Sequence, residues 1–258
     1  MLDNPPHSLL DLNNKNLPKF NIIKPQYDRS KLSPGIVHIG VGNFHRAHLS
    51  WYLHRLMQKN KNLDWGIIGS GVLNYDREMQ QKLKKQDFLT TLIELDPQGN
   101  KNCEIIGPMI DYASVESNNL SLINAMSDSR IRIVSLTVTE GGYFLDGENG
   151  DLDFTNPDIV NDINNPNSPK TVFGAIVYAL NIRRNNGHGP ITCLSCDNLI
   201  KNGDKLKQAV IGIAKNINKQ LSDWILENCT FPNSMVDCIV PSTGERELEL
   251  VKKIGIND

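Results

Sequence analysis

Gly40-Val41-Gly42-Asn43-Phe44-His45 stands where a short apolar run gives way to an amphipathic one. A turn of that kind is where an α/β protein can hold a phosphate. Gly40 permits a tight turn, and Gly42 lets the backbone come close to a pyrophosphate, whose charge would meet the first N–H groups of the next helix. The third glycine of the common dinucleotide fingerprint is replaced by His45, and the second strand ends in Gly69-Ser70-Gly71-Val72 without a carboxylate. The motif alone leaves two readings open, a nucleotide site and an ordinary tight turn. Glu140, in Thr139-Glu140-Gly141-Gly142-Tyr143, and Asn198, in Ser195-Cys196-Asp197-Asn198, also follow apolar runs. Strand ends of this kind are where α/β sheets bind ligands. Against that, Glu140 could simply cap its glycine turn and Asn198 could satisfy its own loop.

Other candidates carry less. Cys193-x-x-Cys196 has no second pair at metal-binding spacing, and both cysteines lie in or at the end of one apolar run, so buried thiols are expected. His45 and His48 share a helical face with no carboxylate at helical spacing, and His54 is more distant. Packing and turn geometry are the expected roles.

The elements that must position these residues alternate in type. Buried strands are expected at 35–42, 65–72, 131–138 and 191–196, with a last short one at 234–241. Helices are expected at 43–57, 76–86, near 114–126, at 171–184, over 203–228 and at 244–254. Runs 88–95 and 103–110 read as an antiparallel pair around Asp96-Pro97-Gln98-Gly99, and the proline-rich 1–35 as an irregular arm. Alternating strands and helices predict an α/β domain with a mostly parallel sheet.

Composition narrows the partners. The 258 residues carry 27 Lys+Arg against 29 Asp+Glu, a net charge of −2. That balance argues against a dedicated nucleic-acid binder, which shows a basic excess. There is no apolar run of roughly 18 residues, so no membrane span is expected. The opening residues have no basic and apolar signal pattern, and the five cysteines give no paired framework. A soluble cytoplasmic protein is expected.

IVHIGVGNFHRAH (36–48), WGIIGSGV (65–72), SLTVTEGGY (135–143), LSCDNLIKNG (194–203) and FPNSMVDCIVP (231–241) stand in one order along the chain. Together they resemble the polyol-specific long-chain dehydrogenases, the mannitol dehydrogenase family. The arm NLPKFNIIKPQYDRSKLSPG (16–35) resembles that of its mannitol 2-dehydrogenase branch, with the fructuronate, tagaturonate and arabinitol enzymes as near competitors. The resemblance implies a Rossmann-type NAD-binding domain over 36–241, after an arm at 1–35. Residues 242–258 would start the connection to a helical C-terminal substrate domain. It also implies zinc-independent hydride transfer between NAD and a polyol or ketose.

Carried over by position, Ile39, Gly40, Val41, Gly42, Asn43 and Phe44 match the family's pyrophosphate loop. Asp76, in Asp76-Arg77, falls where the family holds the adenosine ribose, which would favour NAD over NADP; its competing reading is a carboxylate drawn to a helix N-terminus. Glu140 matches a glutamate near the nicotinamide, associated with a water path for the released proton. Asn198 matches the asparagine whose amide donates to the substrate oxygen, and Asp237 matches a further cleft residue, grouped here with the cofactor-binding set. The family's base is a lysine followed after five residues by asparagine and after two more by histidine. Asn185-Asn186-Gly187-His188 has the last two in register, but Ala179 stands six residues before Asn185. The whole motif is absent from the 258 residues, so the chain is expected to match roughly the first half of a family enzyme. A separate C-terminal catalytic half, or a non-catalytic nucleotide-binding remnant, are the corresponding alternatives.

Overall fold

The computed structural model describes residues 10–17, 22–59, 61–72, 76–98, 101–146, 151–235, 240, 243–253 and 255–258. In chain order the first elements are β1 (Leu10–Asp11), β2 (Pro34–Ile39), α1 (Asn43–Ala47), α2 (Leu49–Met57), β3 (Gly66–Ser70) and α3 (Asp76–Lys85). Next come β4 (Thr90–Leu95), β5 (Lys101–Ile106), β6 (Met109–Ala113), α4 (Leu120–Ser127) and β7 (Ile133–Leu136). The remainder is α5 (Pro157–Asn164), α6 (Val172–Asn186), β8 (Thr192–Ser195), α7 (Asn202–Ile217), α8 (Lys219–Asn228), α9 (Glu245–Lys253) and β9 (Ile256–Asn257).

Five strands form one parallel sheet in the order β6-β3-β2-β7-β8. Counted in chain order within the sheet, that is 3-2-1-4-5, the doubly wound Rossmann arrangement. Every residue of β2 is buried, as a central strand covered on both faces must be. On one face Val37 and Ile39 join α4, α5, α6, α7 and α8 in the main core. On the other, Ile36 and Ile67 pack with Leu53 of α2 and with Met79 and Leu83 of α3. Helix α6 is buried almost all round. It starts where Thr171 accepts from the Gly174 amide at 3.0 Å and stops at Gly187 in the left-handed region.

Several expected elements are divided in the structure. The helix expected at 43–57 breaks at His48 (φ −119°, ψ −86°), giving α1 and α2. The one expected over 203–228 breaks at Asn218, whose side chain caps α8 by accepting from the Leu221 amide at 3.1 Å. The helix expected near 114–126 starts only at Leu120. The run 103–110 belongs to two strands in different sheets: β5 pairs antiparallel with β4, while β6 joins the parallel sheet. Gly107-Pro108 makes the corner between them, and Arg29 of the arm fastens it by donating to the carbonyls of Gly107 (2.9 Å) and Met109 (2.7 Å). The arm also contributes β1, which pairs parallel with β9. Of the strand expected at 234–241, residues 234, 235 and 240 are not strand, and the rest lie outside the described residues.

The β4–β5 hairpin docks on α2 through buried Glu104. Its carboxylate accepts from Trp51 Nε1 at 3.0 Å and lies 3.2 Å from both His54 Nε2 and Arg55. Tyr27 Oη meets the other nitrogen of His54 at 2.8 Å. No described helix is long and apolar enough to cross a membrane.

Candidate functional site

The sheet brings its candidates to one edge. Ser70, Ile39, Leu136 and Ser195 lie in register across β3, β2, β7 and β8. The ladder runs one residue further, with Gly40 N–H on Ser70 O (2.9 Å), Thr137 N–H on Ile39 O (2.9 Å) and Cys196 N–H on Leu136 O (2.8 Å). The turns after these strands therefore share the carboxyl edge. Strand order reverses between β2 and β7, which is where open α/β sheets bind ligands.

The two glycines of the first turn do different work. Gly40 has φ +94°, and a Cβ there would stand 2.0 Å from the Thr137 carbonyl oxygen, so the backbones of β2 and β7 touch where a side chain would be. Gly42, the N-cap of α1, has ordinary extended backbone (φ −102°, ψ −170°), and a Cβ there would meet nothing within 4 Å. Among the described residues nothing fills its open side. Arg46 wraps back over the turn, donating to Gly42 O at 3.3 Å and to Asn43 Oδ1. Ile39 and Val41 are buried in the two cores, so only their backbone reaches the edge.

Beneath the turn lie two buried imidazoles. His38 of β2 and His45 of α1 stack with centroids 3.7 Å apart. His38 Nδ1 meets Ser135 Oγ at 2.8 Å and its Nε2 meets Gly40 O at 3.2 Å. Among the described residues neither His45 ring nitrogen has a hydrogen-bond partner. Burial pushes the His38 pKa down to about 4 and that of His45 well below 6.5, His38 and Arg46 adding to the second effect. His48 stacks on Phe44 at 4.7 Å. Among the described residues no cluster of His, Cys, Asp or Glu could hold a metal ion.

At the end of β3, Asp76 Oδ2 accepts from the Val72 amide at 2.7 Å. A Cβ on Gly71 would lie 2.2 Å from Asp76 Cβ, so this glycine makes room for the carboxylate beside the strand end. Asp76 also raises the pKa of buried Tyr112, after desolvation as the larger cause. Arg77 is exposed and donates to Val115 O at 3.2 Å.

On the other side of the switch point, Glu140 opens a 3-10 turn, Glu140–Tyr143, directly after Thr139. Asn198 is exposed after β8, and among the described residues its side chain makes no hydrogen bond. Its amide therefore does not satisfy its own loop, and Leu199 N–H goes instead to Asp197 O at 2.8 Å. Asp237 lies outside the described residues.

The sequence reading passed over the groups that join these two turns. Buried Asp197 accepts from the Thr139 amide at 2.9 Å and the Val138 amide at 3.2 Å, and Tyr143 Oη donates to it at 2.9 Å. Tyr143 Oη also lies 2.5 Å from Ser195 Oγ. Desolvation and then the Asp197 charge push the Tyr143 pKa up, which keeps the phenol a neutral donor. Asn202 ties the same loop to residue 234: its amide donates to Ser195 O (3.3 Å), Asp197 O (3.0 Å) and Ser234 Oγ (2.9 Å). The sequence signal was the acid next to Asn198 and the tyrosine after the glycine pair, both read only as neighbours of a candidate. Cys193 is fully buried in the core, and burial raises the Cys196 thiol to about 11. A cavity of about 500 Å³ lined by Tyr27, Arg29, Asp87 and Ile110 lies elsewhere, beside the residues that precede β4.

The chain is similar to known proteins along most of its length. The chain is 50% identical over 238 residues to mannitol 2-dehydrogenase of Cereibacter sphaeroides, covering 92% of this chain and 50% of that protein. It is 40% identical to a polyol:NADP oxidoreductase of Gluconobacter oxydans, covering 93% of this chain and 49% of the relative. Among solved structures, Pseudomonas fluorescens mannitol 2-dehydrogenase in ternary complex with NAD and D-mannitol superposes with a TM-score of 0.89 at 40% identity. That match covers 94% of this chain and 50% of the other. The chain thus spans about half the length of these relatives. The family model of the mannitol dehydrogenase Rossmann domain matches residues 34–258, and the chain belongs to that family.

Proposed function

We propose that this chain binds NAD and forms the cofactor half of a zinc-independent, mannitol 2-dehydrogenase-like oxidoreductase that interconverts D-mannitol and D-fructose. The observation that carries the reading is the open side of Gly42 at the switch point of a 3-2-1-4-5 sheet. A dinucleotide requires backbone without a side chain at that place, and the residues present fit it. Residues 39–44 cradle the pyrophosphate, with Ile39 and Val41 acting through their backbone. Asp76 holds the adenosine ribose, with Arg77 beside it, and its charge disfavours the 2′-phosphate of NADP. Bound NAD supplies the hydride acceptor for a secondary alcohol.

The chain's own residues hold charge and protons around that event. The free amide of Asn198 donates to the substrate oxygen and steadies its developing negative charge. Glu140 serves the water path by which the proton leaves, and Asp237 completes the cleft. The base that takes the hydroxyl proton is assigned, as the family resemblance implies, to a lysine in a C-terminal catalytic half; no Lys/Asn/His motif occurs in the 258 residues. The same observation favours a second reading, in which the chain is a nucleotide-binding fragment without catalysis of its own. The linker starting near residue 242 and the domain over 36–241 remain the proposed division.

Titration of NADH by its fluorescence tests the cofactor reading, and no saturable signal at high protein concentration would sink it. Steady-state assay with mannitol and NAD tests the missing base. Turnover by the 258 residues alone would place a base within them.

A further inference from the structure

We propose that Asp197 is a positioning residue that locks together the two turns carrying Glu140 and Asn198, holding Thr139 in a left-handed conformation that shapes the nicotinamide half of the site. The inference rests on the cofactor reading above and adds to it a device that no matched residue supplies. Thr139 has φ +65° and ψ +165°, a region adopted almost only by glycine and one that a β-branched residue keeps only when its surroundings hold it there. What holds it is the Asp197 carboxylate, through the amides of Val138 and Thr139. Tyr143 Oη, fully buried, bonds to both Asp197 and Ser195 Oγ, so the carboxylate cannot swing away without breaking these contacts.

The placement says which end of a dinucleotide is served. A Rossmann sheet is built of two mononucleotide-binding halves that meet at the switch point. Gly40, Gly42 and Asp76 follow β2 and β3, on one side; Thr139 and Asp197 follow β7 and β8, on the other. Glu140 follows Thr139 by one residue and Asn198 follows Asp197 by one. A shift in this clamp therefore moves both residues directly, whereas the phosphate turn meets it at one remove, where Thr137 Oγ1 donates to Gly40 O at 2.7 Å.

The test compares NADH with ADP, which lacks the nicotinamide end, on the whole chain. Asp197→Asn keeps the shape of the side chain but leaves one oxygen to serve two amides and a phenol. We expect it to weaken NADH about tenfold, the worth of one lost buried charge-assisted bond, while ADP binding stays within about twofold. Adding Thr139→Gly should recover most of the lost NADH affinity, since glycine adopts the strained conformation without being held. Equal loss of NADH and ADP, no loss of either, or no recovery in the double variant would each overturn the proposal. Failure of the unaltered chain to bind ADP or NADH would overturn the cofactor reading itself, and this inference with it.

Discussion

Gly40 and Gly42 are two residues apart in one turn, and the structure predicts opposite consequences for the same substitution at each. In Gly40→Ala the new Cβ would stand 2.0 Å from the Thr137 carbonyl oxygen. Reaching an unstrained contact of roughly 3.5 Å requires β2 and β7 to part by about 1.5 Å. That shift breaks the Thr137 N–H bond to Ile39 O, now 2.9 Å. Positive φ costs about 1–2 kcal/mol, overpacking about 1–3 and the lost bond about 1. A total near 4 kcal/mol lowers the Tm of a domain this size by about 10 °C. Gly42→Ala meets no atom within 4 Å and keeps a backbone that alanine adopts readily. It should leave stability unchanged or raise it by about 0.4–1 kcal/mol through the unfolded chain. Its methyl instead enters the space assigned to the pyrophosphate, so NADH affinity should fall about tenfold, or about 1.4 kcal/mol. Thermal unfolding by circular dichroism and NADH fluorescence titration read the two effects separately. A Gly40→Ala chain melting within about 2 °C of the unaltered one, or a Gly42→Ala chain binding NADH normally, would refute the assignment.

Asp76→Ala should shift the preference from NADH toward NADPH by about tenfold, because the carboxylate proposed to repel a 2′-phosphate is gone; competitive titration of the two cofactors measures it. Arg183 is buried and donates to the carbonyls of Met126, Asp128, Ile131, His188 and Gly189. Arg183→Met therefore strands several acceptors and should lower the free energy of urea unfolding by about 3–5 kcal/mol. His38 and His45 are buried neutral, and their pKa values lie below that of an unfolded histidine. The unfolded chain then binds more protons as the pH falls, so stability should be level above pH about 6.5 and drop between about 6.5 and 4, by up to about 3 kcal/mol from His38. His45→Phe, which removes two unpartnered nitrogens, should flatten that acid slope in urea titrations at stepped pH.

Much of the fold was legible because buried parallel strands write themselves as short apolar runs rich in β-branched residues. Residues 35–42, 65–72, 131–138 and 191–196 are such runs; β3, β7 and β8 lie within them, and β2 starts one residue earlier, at Pro34. The corner at Gly107-Pro108 was not legible, because the apolar run passes through it and only tertiary pairing assigns Ile106 and Met109 to different sheets. The helix breaks at His48 and Asn218 were missed for a related reason: hydrophobic periodicity survives a one-residue interruption. Within the site, Gly40, Gly42 and Asp76 were marked by position. Asp197 and Tyr143 were not, since their partners lie 58 or 59 and 52 residues away in sequence.

The departure from the three-glycine fingerprint has a structural counterpart. A third glycine lets the first helix settle closely on the first strand. Here that place is taken by His45, and its ring fits because β2 presents another flat ring, His38, against which it stacks at 3.7 Å. Two imidazoles occupy the layer between strand and helix that a glycine would have closed. The helix breaks three residues later, at His48, and α2 sets off anew to pack Leu53 on the second core and Trp51 and His54 on the hairpin's Glu104. The break thus places the same short α1 under two demands: its start borders the open side of Gly42, and its end releases a helix that anchors β4–β5. Substitution at His45 should for this reason be felt both at the turn and at the hairpin, whereas substitution at Gly42 should be felt only at the turn.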